Sequence, residues 1–254
     1  MSTIRDYGLG FITNEDLFKH VKETVMSYKF DMDLKEFNSN LIDPIKLTFD
    51  SIVYSQDLEQ TIENEVLRQL DKSNSNLIGY FHQNIFKYFG NGWSVPVKGY
   101  DVVSKNEKIY VEMKNKHNTM NSSSSAKTYM RMLQTIVDDN EAKCMLVEVI
   151  ASRSQNIPWV ITLDKIKQKS NEQIRRVSID KFYDIVTGEK DAFKKLCSVM
   201  PTVIKDVVDT LKAKDKKNTV FAELNTISDD LLTSIYLLSF KHYEGFKDLK
   251  KING

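Results

Sequence analysis

The sequence predicts a mixed α/β fold, in which a central mixed sheet is flanked by helices and helical extensions lie at both ends of the chain. Three observations predict this class. Apolar residues recur every three or four positions in the N-terminal third and again after residue 178. Between these regions lie short segments rich in β-branched and aromatic residues, and one helical pattern separates the third segment from the fourth. With 254 residues, 41% of them hydrophobic, the chain can bury the core of one large domain or two small ones.

The N-terminal region predicts three helices. Thr13 and Asn14 form a capping signal ahead of a helix over residues 17–26, and Asp43–Pro44 marks a turn. Residues 57–70 and 76–89 carry apolar side chains at helical spacing, and the second helix is predicted to end at the glycine-rich residues 90–92.

The middle and C-terminal parts predict strands and then helices. Segments 93–97, 99–103 and 108–114 predict an antiparallel meander, because turn-forming residues separate them. The sequence NSSSS at 121–125 predicts a loop. The remaining predicted elements are a helix over 126–137, strands over 143–150 and 160–163, and helices over 179–185, 191–211 and 229–240.

Several classes of protein are excluded. The two cysteines, Cys144 and Cys197, lie 53 positions apart without a second group of thiol or imidazole ligands, which argues against a disulfide framework and a structural zinc site. The N-terminus has no apolar signal region, and the longest apolar stretch, 231–240, is half the length of a membrane span. We therefore expect a cytoplasmic protein.

The net charge of +1 hides an uneven distribution. Residues 104–131 contain six basic and two acidic side chains, a net charge of +4, whereas residues 1–76 contain eight basic and fourteen acidic side chains, a net charge of −6. Such a stretch is either a solvated surface or a surface that attracts phosphate.

Two carboxylates and a lysine are predicted to meet on the sheet. In the strand 109–114, Glu112 and Lys114 alternate with apolar residues and therefore project from the same face. A hairpin turning at 105–107 brings Asp101 of the preceding strand towards Glu112. Two adjacent carboxylates repel one another unless a cation lies between them, and oxygen ligands favour Mg²⁺. A cross-strand ion pair without a metal is the alternative.

These residues resemble the PD-(D/E)xK nuclease superfamily, with Tyr100-Asp101 as its PD element and Glu112-Met113-Lys114 as its ExK element. The stretch 76–133 resembles more narrowly the Type II restriction endonucleases that cut GGNCC, and 180–196 does so more loosely. The resemblance implies a restriction-endonuclease-like core. Because the sequence contains no convincing linker, we expect a single nuclease domain with a helical N-terminal region 1–75, a catalytic core 76–163 and a mainly helical C-terminal region 164–254.

The resemblance also implies residue roles. Asp101 and Glu112 would bind Mg²⁺, and the Met113 carbonyl would complete the coordination shell. Lys114 would hold or polarise the attacking water. Tyr100 replaces the family's proline, which carries no ligand. Gln83 stands where related enzymes often have a glutamate, and Glu65 is an alternative third acidic ligand or simply an exposed helix residue.

The polar segment after Lys114 is the predicted DNA contact, because it leaves the catalytic strand beside the scissile phosphate. Its side chains can hydrogen-bond to bases or phosphates. The alternative is that the segment is a serine-rich loop with a helix cap at Ser125, in which case the basic stretch 165–176 would bind DNA. His117 is expected to act either as a hydrogen-bonding residue or as a general base. The predicted contacts are Asn115, Lys116, His117, Asn118, Asn121, Ser122, Ser123, Lys127 and Arg131.

Three functions remain open: a Mg²⁺-dependent restriction endonuclease, a repair or junction-processing nuclease of the same superfamily, and a non-catalytic DNA-binding module. The first is favoured, and a cytosine methyltransferase in the same system would distinguish it from the others. A nearly palindromic GGNCC site implies a homodimer, for which the apolar helices at 191–211 and 229–240 are interface candidates.

Overall fold

The computed structural model describes residues 4–90, 92–163, 166–211, 218–242 and 246. The chain forms two compact units. We call Met1–Ser27 with Ile78–Leu211 the sheet unit, and Tyr28–Leu77 with Lys212–Gly254 the helical unit. The predicted helical region 1–75 thus contributes residues to both units. Asn91 of the predicted helix end and Lys165 of the basic stretch 165–176 lie outside the described residues, and region 164–254 is described in part.

The described residues form helices and strands in the order that follows. The helices are α1 (Asn14–Ser27), α2 (Leu34–Ser39), α3 (Pro44–Val53), α4 (Leu58–Asn84), α5 (Ser122–Asp138), α6 (Ile179–Thr187), α7 (Ala192–Thr210), α8 (Val220–Ile227) and α9 (Leu231–Phe240), with a 3₁₀ turn at Ile85–Tyr88. The strands are β1 (Trp93–Ser94), β2 (Val102–Ser104), β3 (Ile109–Lys116), β4 (Lys143–Ile150), β5 (Asn156–Pro158), β6 (Thr162–Leu163), β7 (Ile166–Lys167) and β8 (Ile174–Ser178).

A six-stranded mixed sheet organises the sheet unit. Its strand order is β1-β2-β3-β4-β8-β5. The strands β1, β2 and β3 pair antiparallel, β3, β4 and β8 pair parallel, and β5 pairs antiparallel with β8. Helix α5 connects the parallel strands β3 and β4, as a parallel pair requires. The predicted mixed α/β class is therefore confirmed.

The two faces of the sheet bury different clusters. Ile109, Val111 and Met113 of β3 pack into a large core with aromatic residues such as Phe86 and Phe182. The alternate residues of β3 project from the opposite face, where Tyr110 joins a second cluster that contains Tyr129 and Met132 of α5. We call this second side the α5 face. It is the face from which Glu112 and Lys114 project.

The predicted loop at 121–125 is wrong, because α5 begins at Ser122. Asn121 is the N-cap residue, and its side chain accepts a hydrogen bond from the Ser124 amide at 2.8 Å. The Ser124 hydroxyl donates to the Asn121 carbonyl at 3.0 Å. The Asn121 side chain satisfies one of the free amides at the start of α5, so serine-rich composition alone was a poor indicator of a loop.

Other boundaries also differ from the predictions. The helices expected at 57–70 and 76–89 are one helix, α4, because the polar residues between them contain neither proline nor glycine. Asp43–Pro44 starts α3 instead of a simple turn: the Asp43 carboxylate accepts from the Ile45 and Lys46 amides. The strands β1 and β2 are shorter than expected, and Asp101 lies just before β2.

The helical unit has a separate core. Buried residues of several of its helices, including Phe37, Ile62, Leu224 and Ile235, pack together. Among the described residues, no helix is both long and apolar enough to cross a membrane.

Candidate active site

Glu112 and Lys114 lie side by side on β3 and project from the α5 face. The Lys114 Nζ donates to Glu112 Oε1 at 2.6 Å. The Glu112 side chain is 13% exposed and that of Lys114 is 31% exposed. The carboxylate is thus mostly enclosed, while the amine retains access to solvent.

Asp101 lies across from Glu112 at the start of the β2–β3 hairpin. Its backbone amide donates to the Val111 carbonyl at 2.9 Å, one position before Glu112. Its side-chain Oδ2 accepts from the Met113 amide at 2.7 Å. Both bonds attach Asp101 to the strand β3 although it lies outside the strand β2, so two carboxylates approach each other on adjacent chain segments, as the hairpin predicts.

Burial raises the pKa of Asp101, and the nearby charge of Glu112 raises it further. The Met113 amide, Lys114 and Arg131 act in the opposite direction but do not outweigh burial. A buried carboxylate beside a second carboxylate is stabilised in its ionised form by a bound cation.

Arg131 of α5 is a third charged partner of this site. Its Nη2 donates to Glu112 Oε2, and its Nη1 donates to the Gly99 carbonyl at 3.2 Å. The guanidinium carbon lies 4.5 Å from the centroid of the Tyr100 ring. In this structure Arg131 therefore holds Glu112, whereas the sequence had suggested it only as a DNA contact.

Tyr100 anchors the chain just before Asp101. Its hydroxyl lies 2.8 Å from the Thr135 Oγ1 on α5, and its ring packs 5.3 Å from that of Tyr110. Burial raises the pKa of the Tyr100 hydroxyl above its ordinary value, so the phenol stays protonated. Tyr100 thus fixes the Asp101 segment against α5.

The oxygen atoms available at this site fit a hard divalent cation. The Met113 amide points to Asp101, and within a strand the amide and carbonyl of one residue face the same edge, so the Met113 carbonyl also faces the Asp101 side. Two carboxylates and a carbonyl are the ligand types that Mg²⁺ prefers. The described part of the chain contains no group of three or more acidic, histidine or cysteine side chains that could hold a metal ion. A cation here would therefore need main-chain or water oxygens in addition to the two carboxylates.

The two accessory candidates, Glu65 and Gln83, have other surroundings than the sequence suggested. Glu65 belongs to the helical unit, where Arg68 donates to both of its oxygens at 2.6 and 2.7 Å and Gln69 donates at 3.0 Å. Gln83 is half-buried near the end of α4 in the sheet unit. Within the described residues, neither side chain hydrogen-bonds to Asp101 or Glu112.

The predicted DNA-contact residues lie around the end of β3 and the start of α5. Asn115 and Lys116 end the strand, and the His117 amide donates to the Ile150 carbonyl at 3.1 Å. Asn118 follows in the connecting turn. Asn121 caps α5, while Ser122, Ser123 and Lys127 are exposed on its first turns. The fold therefore places these residues on one continuous segment that follows the strand β3.

One polar pair beside the site was missed from the sequence. Glu148 of β4, which is 2% exposed and in register with Lys114, accepts two bonds from Arg176 of β8 at 2.5 and 3.0 Å. Arg176 also donates to the His117 carbonyl at 3.3 Å. The strand β8 was not predicted because its two arginines obscure its apolar residues. An isolated glutamate within the apolar run 143–150 was the available signal for a buried partner.

Comparison with known proteins identifies the family. The model of the Eco47II restriction endonuclease family matches residues 9–209, which include all of the site described above. The chain is 30% identical over 248 residues to the Type II restriction enzyme Sau96I of Staphylococcus aureus, covering 90% of this chain and 95% of that enzyme. It is 29% identical over 213 residues to the Type II restriction enzyme Eco47II of Escherichia coli, covering 79% and 88% of the two chains. The chain therefore belongs to the Eco47II restriction endonuclease family and is a Type II restriction endonuclease.

Proposed function

We propose that Asp101, Glu112 and Lys114 form the active site and that the enzyme cuts both strands of DNA in a reaction that requires Mg²⁺. The observation that supports this most strongly is the convergence of Asp101 and Glu112 across the β2–β3 hairpin, with Lys114 bonded to Glu112 on the same face. An ion pair alone would explain Glu112 and Lys114. It would not explain why a second carboxylate, that of Asp101, is held against the same strand by the Met113 amide.

Asp101, Glu112 and the Met113 carbonyl are the groups that would hold the ion. When bound, Mg²⁺ supplies positive charge that stabilises the negative charge developing on the phosphate and on the leaving 3′ oxygen. Arg131 and Lys114 both bond to Glu112 and fix the orientation of its carboxylate. This fixed geometry reduces the reorganisation needed when DNA arrives.

Lys114 is the residue we propose to orient the attacking water. Its amine is partly exposed and is held beside Glu112. The water oxygen forms a bond to phosphorus, the bond from phosphorus to the 3′ oxygen breaks, and the water's proton is transferred to that leaving oxygen through solvent. A positioned ammonium donor places the water in line with the bond that breaks.

The segment after Lys114 is proposed to bind the duplex. The N-terminus of α5 presents amides and serine hydroxyls, and Lys127 is exposed in the next turn, so this end of the helix attracts phosphate. The side-chain oxygen of Asn121 accepts from the Ser124 amide, which favours Asn118 over Asn121 as a base contact. We therefore assign Ser122, Ser123 and Lys127 to the phosphates and Asn118 to a base edge.

The proposed target is GGNCC, cut by a homodimer that carries one active site for each strand. The family membership supports the restriction function, and a nearly two-fold DNA site is met most simply by a two-fold protein. A nuclease of this kind in the cytoplasm requires a methyltransferase that modifies the same sites of the host DNA.

Digestion of two unmethylated plasmids tests the proposal. One plasmid carries a single GGNCC site, and in the other one base of that site is changed. We expect the enzyme with Mg²⁺ to linearise only the first plasmid, EDTA to abolish cleavage, and sequencing of the ends to place both cuts in the site. Cleavage of both plasmids, or of neither, would refute GGNCC as the target.

A further inference from the structure

We infer that the connection between β4 and β5 is a second DNA-contacting segment and that Arg153, in its middle, hydrogen-bonds to a guanine of the recognition site. We call this connection, residues 151–155, the 151–155 loop. The inference rests on the proposed function, because it assigns Arg153 to a base of the GGNCC target.

The 151–155 loop leaves the sheet beside the segment that is proposed to bind the duplex. Strands β3 and β4 are parallel and end at the same level, since Lys116 is in register with Ile150 and the His117 amide donates to the Ile150 carbonyl at 3.1 Å. Because neighbouring strands lie about 5 Å apart, the two segments emerge side by side at one edge of the sheet. The major groove of DNA is about 12 Å wide and can receive both of them.

The 151–155 loop is also close to the proposed active site. Glu148 is in register with Lys114, and β4 continues for two residues beyond Glu148 before the loop begins. At roughly 3.3 Å per residue, the first residue of the loop lies about 10 Å beyond the level of Lys114. Base pairs are stacked about 3.4 Å apart, so the loop can reach bases within a few steps of a phosphate bound at Lys114.

The start of α6 holds the 151–155 loop in place. The Gln155 amide donates to the Ser178 hydroxyl oxygen at 2.9 Å, and the Ser178 amide donates to the Gln155 carbonyl at 2.9 Å. The Asp180 carboxylate accepts hydrogen bonds from the hydroxyls of Ser154 and Ser178. A loop that is ordered before DNA arrives loses less conformational entropy on binding.

Arg153 keeps its two terminal nitrogens available for a ligand. Its Nε donates to the side-chain oxygen of Gln155 at 3.3 Å, and Gln155 is buried. Neither Nη1 nor Nη2 of Arg153 has a hydrogen-bond partner among the described residues. Two such nitrogens side by side are the donors that match O6 and N7 of a guanine.

Arg153 differs from the other five arginines of the chain, each of which forms an ion pair with a carboxylate. Arg153 is exposed and forms no ion pair within the described ranges of the chain. Its guanidinium therefore does not have to leave an acidic partner before it contacts DNA. The paired arginines are Arg5, Arg68, Arg131, Arg175 and Arg176.

The bond to Gln155 favours a base edge over a phosphate as the partner of Arg153. Phosphates are contacted by many kinds of side chain and by backbone amides, and these contacts carry no sequence information. Base recognition needs a pair of donors in a fixed orientation, which the held Nε provides. Arginine with guanine is the most common specific contact of this kind, and GGNCC begins with two guanines on each strand.

Binding of short duplexes in Ca²⁺ tests the inference. One duplex contains GGNCC and an unrelated duplex of equal length does not. We expect Arg153→Gln to weaken binding to the GGNCC duplex by about 10- to 100-fold and binding to the unrelated duplex by less than about threefold, because a pair of base contacts is lost. Arg153→Lys should show the same loss, since lysine keeps the charge but not the paired donors.

Arg5→Gln is the matched control. Arg5 pairs with Asp206 of α7, and α7 packs against the face of the sheet opposite to the α5 face. Arg5→Gln should bind both duplexes like the wild type.

Duplexes with 7-deazaguanine, which lacks the N7 acceptor, identify the contacted base. We expect this substitution at one of the two guanine positions to weaken binding by the wild type. The same substitution should have no further effect on Arg153→Gln, because both changes remove the same contact.

Equal weakening of both duplexes by Arg153→Gln, with a reduced salt dependence, would make Arg153 a phosphate contact and overturn the inference. Unchanged binding, or additive effects of Arg153→Gln and 7-deazaguanine at both positions, would also overturn it. If Arg153→Gln fails to fold, Arg153→Lys decides by the same comparisons. The proposed function fails separately: a wild-type protein that does not prefer the GGNCC duplex refutes the target and the inference with it, whereas a wild type that prefers and cuts GGNCC beside an Arg153→Gln variant with the full preference refutes the inference alone.

Discussion

Replacement of Arg131 by methionine should strengthen divalent-cation binding while it weakens the metal-free fold. In the structure Asp101 and Glu112 are opposed by Lys114 and Arg131, so the two negative and two positive charges cancel. Methionine retains part of the apolar side chain of Arg131 but removes its charge. The site then carries a net charge of −1 and attracts a divalent cation more strongly.

The size of the effect follows from the contact of Arg131 with Glu112. A guanidinium roughly 5 Å from a divalent ion repels it by about 7 kcal/mol at an effective dielectric constant of about 20. Because the Arg131 side chain is 39% exposed, solvent and salt screen most of this energy. We therefore expect a gain of about 1–2 kcal/mol, or roughly tenfold in affinity. In the absence of metal, loss of the charge-assisted bond should lower the free energy of unfolding by about 1.5–3 kcal/mol.

Calorimetric titration with Ca²⁺, which binds oxygen ligands without supporting rapid cleavage, measures the affinity. Urea unfolding with and without Ca²⁺ measures the stability. Lys127→Met is the matched control, since it removes the same charge from an exposed position of the same helix. Unchanged or weaker Ca²⁺ binding by Arg131→Met relative to Lys127→Met would refute the charge balance that we assign to the site.

Three further predictions concern catalysis, DNA contact and pH. Lys114→Ala should lower the single-turnover cleavage rate by several orders of magnitude at a Mg²⁺ concentration that saturates the wild type. Full recovery when Mg²⁺ is raised further would make Lys114 a structural partner of Glu112 only. Lys127→Ala should weaken binding to all DNA and reduce the salt dependence of the binding constant by about one counterion. Asn118→Ala should instead weaken the binding free energy by roughly 1–3 kcal/mol at the cognate site alone. Competition between the cognate and mismatched duplexes across a salt series separates the two effects. Burial, assisted by the charge of His20, lowers the pKa of His82 from 6.5 to about 4. Between these pH values the unfolded chain binds a proton at His82 that the folded chain does not bind. The contribution of His82 to the free energy of unfolding should therefore be complete above pH 6.5 and fall by about 3 kcal/mol as the pH drops to 4. Urea unfolding at several pH values should show a smaller decline for His82→Phe, and equal declines would contradict the assignment to His82.

The sequence was most informative where local rules determine the geometry. Alternation along β3 predicted that Glu112 and Lys114 share a face, and the short turn before β3 predicted the approach of Asp101. Both follow from strand periodicity and hairpin connectivity, which require no knowledge of the distant chain. The mixed sheet was predictable for the same reason, since β3, α5 and β4 are consecutive.

Contacts that depend on distant elements were not predictable. Arg131 bonds to Glu112 only because α5 packs over this face of the sheet, and its position in the sequence indicates nothing more than an exposed basic residue. Likewise, the sequence around Arg176 indicates only a surface charge. In the structure β8 pairs with β4, and this pairing brings Arg176 to the buried Glu148. The exposure of α3 depends on which side its unit buries, and the apolar pattern alone does not decide this.

Cleavage by Asp101→Ala and Glu112→Ala, measured beside DNA binding, tests the central claim most directly. Glu107→Ala is the matched control, because Glu107 is an exposed acidic residue in the turn of the same hairpin. We expect both site variants to lose detectable cleavage in Mg²⁺ while they still bind the cognate duplex in Ca²⁺, because in the mechanism we propose the two carboxylates act on the reacting phosphate and contribute little to base recognition. Glu107→Ala should cut like the wild type. Cleavage at the wild-type rate by either Asp101→Ala or Glu112→Ala would contradict the account.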